Sequence, residues 1–69
     1  SDNKEIVDLW LSSARDDKIK SELSEYAETN LGEFIAEGWS EYLNNPMPRP
    51  LSRRIGTIIE RLIRNGGVK

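Results

Sequence analysis

Apolar positions along this chain recur at helical rather than strand spacing. In LGEFIAEGWSEYL, residues Leu31, Phe34, Ile35, Trp39, Tyr42 and Leu43 fall at i, i+3, i+4, i+8, i+11 and i+12, one stripe of an α-helix over Leu31 to Leu43. Asn30 precedes it as a good N-cap. Gly38 lies on the same stripe, where a missing side chain permits close approach by another backbone. The strongest stripe comes last: Leu51, Ile55, Ile58, Ile59, Leu62 and Ile63 repeat through residues 51–65, with arginines on the other sides. Pro50 suits the first turn of that helix and Gly66 its stop. A first helix is expected from Asn3 to Ser13, with Asp2 as N-cap and Glu5 as its capping-box partner. A more polar second helix is expected over ARDDKIKSELSEYA, capped by Asp16 or Asp17 and ending near Tyr26.

Between the two strongest stripes, NNPMPRP packs three prolines into five positions and forces a stiff, extended connector. No convincing strand pattern and no internal repeat is present. The pattern predicts an all-α fold of three to four short helices in a small bundle, with the proline connector (46–50) before the last helix. Its expected core is Leu9, Trp10, Phe34, Ile35, Trp39, Ile55, Ile59 and Leu62.

Length sharpens the picture. The 69 residues make a single helical domain or the C-terminal fragment of a larger one, and a chain this short buries only about 60% of its unfolded surface. The first residue is Ser1 rather than Met, which suits a chain that is processed, tagged or cut from something longer. No apolar run approaches the roughly 20 residues of a membrane span.

Charge is divided unevenly. Residues 1–45 carry four basic and eleven acidic side chains, a net of −7, and residues 46–69 six basic and one acidic, a net of +5. The basic end raises a nucleic-acid alternative through Arg49, Arg53 and Arg54. No recognition-helix motif or aromatic interleaving accompanies them, so pairing with the acidic first half is the stronger expectation.

Residue types also restrict the chemistry. There is no cysteine, hence neither a disulfide nor a thiolate metal site, and no histidine, the commonest metal ligand and general base. A catalytic zinc site usually takes three protein ligands, mostly histidines with one carboxylate, of which this chain offers only the carboxylate. Two carboxylates stand out, Glu33 and Glu37, four residues apart beside Phe34 and Ile35. Glu33 occupies position N3 after Asn30, where a capping box places Glu and where the helix dipole favours a negative charge. Helix capping and metal ligation both fit that spacing.

The wider string YAETNLGEFIAEGWSEY resembles the distal segment of zincin-type metallopeptidases related to anthrax lethal factor. It also resembles the zincin-like domains of phage minor head (head-morphogenesis) proteins. The shared pattern is a tyrosine, a short TN loop and a helix opening with EFFAEAF or a close variant. Here it reads as Tyr26, Thr29-Asn30, then Glu33-Phe34-Ile35-Ala36-Glu37, and NNPMPRPLSRRIGTII looks like the family's continuation. The likeness spans about Ser24 to Ile63. It implies that Glu33 is the third zinc ligand, completing two histidines of an HExxH helix. It implies further that Tyr26 stabilises an oxyanion near the metal, and that Glu37 orients a ligand.

Ile35 replaces the usual aromatic and Gly38 the usual alanine. More consequential is the missing HExxH helix, without which the isolated chain is not an enzyme and holds no cofactor. Zinc and peptidase chemistry are implied only for a longer parent. On this resemblance the chain is a structural or interaction module contacting the upstream part of its parent or other head proteins, cytoplasmic or virion-associated. The alternative is a stand-alone helical adaptor that binds protein, or less readily DNA, through its last helix.

Overall fold

The computed structural model describes residues 2–66, with side chains from Lys4 onward. Five α-helices follow one another, with no strand among the described residues: α1 (Asp2–Arg15), α2 (Lys18–Glu22), α3 (Glu25–Thr29), α4 (Leu31–Asn44) and α5 (Pro50–Arg64). Among the described residues no helix is long and apolar enough to cross a membrane. The radius of gyration, 11.4 Å, matches the roughly 11 Å of a packed domain of this length.

The expected all-α bundle is present, with one helix divided. The segment read as a single second helix is α2 and α3, because the chain breaks at Leu23 and Ser24. Ser24 is fully extended and its Oγ accepts from the Ala27 N–H at 3.1 Å, which starts a new helix. Asp17 does sit at the N-cap position of α2. It adopts a left-handed backbone, φ 59°, and its side chain makes no capping bond. Its N–H instead donates to Ala14 O, closing the end of α1. The capping expected of Asp2 lies outside the described side chains, and the expected partner Glu5 pairs with Arg61.

Asn30 ends α3 and caps α4, its Oδ1 accepting from the Glu33 N–H at 3.0 Å. The last helix opens on Pro50 and is stopped by Gly66, φ 76°, whose N–H donates to Ile63 O.

The core is Ile6, Leu9, Ile19, Ala27, Phe34, Leu51, Ile55 and Ile58, with Trp10, Ile35, Ile59 and Leu62 packed around it. Trp39, expected inside, is only half-buried and stacks on Tyr42 with ring centroids 5.9 Å apart. Gly38 takes the inward position next to it, and one residue further turns a side chain by about 100°.

That glycine lets α4 and α5 meet. A Cβ on Gly38 would lie 2.3 Å from Ile55 Cδ1, and one on Gly56 would lie 2.1 Å from the Tyr42 ring. The close approach expected at Gly38 is therefore made by a side chain, Ile55, not by a backbone. Trp10 ties α1 to the bundle by donating from Nε1 to Ala27 O at 2.9 Å.

Candidate functional site

The residues singled out in the sequence gather where α3 turns into α4. Thr29 Oγ1 donates to Tyr26 O and Asn30 makes the turn, which gives the TN pair a local structural job. Tyr26 stands out from α3 with 77% of its surface exposed. Glu33 is exposed in the first turn of α4, and its carboxylate makes no hydrogen bond or ion pair among the described residues. Only one half of a capping box is thus closed. Asn30 caps the Glu33 amide, while no bond returns from the Glu33 side chain to the Asn30 N–H among those described.

Glu37 is half-buried and accepts a hydrogen bond from Ser24 Oγ at 2.8 Å. Ser24 thereby serves two partners, the first turn of α3 and the second turn of α4. This gives Glu37 a packing role in fixing the α3–α4 angle. No hydrogen bond joins Tyr26, Glu33 and Glu37 to one another among the described residues.

The donor set does not fit a zinc site within this chain. No group of three or more metal-binding side chains comes together among the described residues, and neither histidine nor cysteine exists to add to one. Glu33 can supply one ligand and no more.

A second cluster, unanticipated from sequence, joins the end of α4 to the start of α5. Glu41 near the end of α4 receives Arg49 as a forked pair, with Nη2 to Oε1 at 2.7 Å and Nε to Oε2 at 3.1 Å. The Arg49 backbone N–H also donates to Glu41 Oε2, at 2.7 Å. The Arg49 bond holds the Glu41 carboxyl well below the usual carboxylate range, at about 2. Ser52 is fully buried beneath, near enough to help keep Glu41 charged, although its Oγ has no partner in hydrogen-bond geometry.

At the start of α5, Arg49 is the N-cap residue and makes no side-chain cap. Glu22 of α2 supplies one, its Oε1 accepting from the Leu51 N–H at 3.0 Å across 29 residues of sequence. The negative charge also sits at the positive end of the α5 dipole.

These bonds settle part of the charge question. Arg61 pairs with Glu5 at 2.8 Å and Arg49 with Glu41, so the basic end does match the acidic half at two points. Of the three arginines considered for DNA, Arg49 is taken up by Glu41. Arg53 donates to Pro48 O, and Arg54 has no partner among the described residues. No family model, no curated protein and no solved structure matches the chain.

Proposed function

We infer that this chain is the helical C-terminal part of a zincin-like domain of the phage head-morphogenesis type. In that reading its own role is structural, and it offers Glu33 to a metal whose other ligands come from the parent. The observation that carries the reading is the open half of the α4 cap. Asn30 satisfies the Glu33 amide, so the carboxylate is not needed to close the turn, yet it is anchored on a rigid helix start and faces solvent. A carboxylate held this way is pre-oriented for a ligand supplied from outside the chain. Tyr26 lies exposed on the preceding helix, in keeping with a role beside such a ligand. Glu37 fits the role of a support, since Ser24 holds it and with it the angle between the two helices.

The complete reading frame tests this. An HExxH helix within about 100 residues upstream, the scale of one domain, is expected. Zinc affinity of the full protein should fall by more than about tenfold on Glu33→Ala, since even outer-shell ligand partners are worth that much. Full protein that binds no zinc, or binds it equally well after Glu33→Ala, sinks the assignment and leaves Glu33 as a helix-dipole residue.

A second reading, a helical adaptor, is favoured by one specific feature. A groove between α1 and α5 has an apolar floor and uncompensated arginines on its rim.

A further inference from the structure

We propose that the α1–α5 groove docks an acidic amphipathic helix, about two turns long, from a partner protein. The groove encloses ≈ 670 Å³, with Leu9, Leu11 and Ile58 among its apolar lining. Leu11 is 50% exposed there, one of five large apolar side chains left at the surface among the described residues.

The charges of the groove are sorted along its length. At one end Arg61 is neutralised by Glu5 at 2.8 Å, and Asp8 by Lys4 at 2.7 Å. At the other end Arg15, Arg53 and Arg54 line the same groove, and none of them makes an ion pair among the described residues. Asp16 shares a neighbouring hollow with Arg54, yet the two do not reach ion-pair distance. Arg53 and Arg54 come from the basic end of the chain and Arg15 from its acidic half, so the fold brings together in one groove cations that the sequence keeps apart.

From Arg54 to Arg61 the α5 wall runs seven residues, about 10 Å at helical rise, or two turns. A two-turn helix with apolar residues at i, i+4 and i+7 would lay its stripe over the exposed Leu11, above the buried Leu9 and Ile58, the helix-in-groove mode of recognition. Carboxylates flanking that stripe would meet Arg15 and Arg54. A nucleic-acid backbone fits less well. Glu5 and Asp8 line the same groove and would face its phosphates, and an apolar floor gives phosphates nothing. The proposal uses different helices from the Glu33 reading and does not depend on it.

The test uses a fluorescein-labelled synthetic helix of about 15 residues, the length at which isolated helices begin to hold. It carries a leucine stripe flanked by glutamates. A copy with lysines for the glutamates and a duplex DNA of the same label serve as comparisons. Anisotropy at about 0.15 M salt limits the signal to short-range contacts. Saturable binding of the acidic helix is expected, weakened about tenfold or more in the lysine copy and in the Arg15→Gln/Arg54→Glu double variant.

Leu11→Ser should weaken binding as well. Circular dichroism should show both variants folded with melting close to the parent, because all three side chains are exposed. Equal binding of the two peptides, binding indifferent to the double variant, or no acidic-helix binding at all overturns the proposal. DNA bound more tightly than the peptide through Arg15 and Arg54, or self-association lost in the same variants, overturns it in favour of those ligands.

Discussion

Gly56 offers the sharpest check on how α4 and α5 are held together. An alanine Cβ there would sit 2.1 to 2.4 Å from three atoms of the Tyr42 ring, far inside contact distance. The ring has little freedom to retreat: one face stacks on Trp39, and its hydroxyl donates to Glu60 Oε1 at 2.7 Å. Two effects oppose each other. Alanine is the better helix former by about 1 kcal/mol, whereas forcing a methyl into a packed contact costs about 1–3 kcal/mol, and more where a stack must open.

The steric term should win, leaving Gly56→Ala destabilised by about 1–2 kcal/mol. For a domain of this size that lowers the melting temperature by roughly 4–16 °C, read by circular dichroism at the helix band. The sign should reverse when the ring is removed. In a Tyr42→Ala background, kept folded with trimethylamine N-oxide where needed, Gly56→Ala should raise the melting temperature by roughly 4–8 °C. A stabilising Gly56→Ala in the native background would refute the reasoning. So would an equal penalty in both backgrounds.

The remaining predictions concern the bonds that close the bundle. Glu41 has its pKa lowered from 4.5 to about 2 by Arg49, so its contribution is complete above the unfolded value and is lost as pH falls from about 4.5 toward 2. The Arg49 side chain is 52% exposed, and solvent screening brings the contribution down to about 1 kcal/mol. Thermal melts from pH 5 to 2 should show a steeper loss in the parent than in Glu41→Gln, and parallel profiles would exclude the pair as a source of acid sensitivity. Trp10→Phe removes the indole bond to Ala27 O and should cost about 1 kcal/mol in urea unfolding, with an unchanged midpoint excluding that tether.

The parts of this fold that were legible in the sequence are those decided within one turn of chain. Asn30 caps α4 through its own side chain, Pro50 opens α5 and Gly66 ends it, all by local geometry. The break at Ser24 was hidden because its serine has a second partner, Glu37, thirteen residues on. The cap on α5 was hidden for the same reason, since Glu22 arrives from another helix and Arg49 in the cap position looks like a poor one.

Trp39 is half-buried although its size argues for burial, because packing gives the inward place to the glycine beside it. For the candidate site, the Glu33 amide cap could be read from spacing. The destination of its carboxylate could not, since spacing does not show whether the reciprocal bond of a capping box is made.

The uneven charge of the chain gains a physical meaning from where its ions are used. Self-pairing alone would leave the basic end matched to the acidic half wherever α5 meets its neighbours. Glu5 with Arg61 and Glu41 with Arg49 follow that rule, and Glu22 satisfies the start of α5 directly. Arg53, Arg54 and Arg64 make no ion pair among the described residues, and Arg54 lines one groove with Arg15 of the acidic half and an exposed leucine, while Asp16 nearby stays unpaired with either. At the α3–α4 corner the imbalance has the opposite sign, with Glu33 unbonded beside the TN turn. A bundle this small holds together with the pairs it makes, and in the readings proposed above the charges left open at the groove and at the α3–α4 corner are the ones offered to partners.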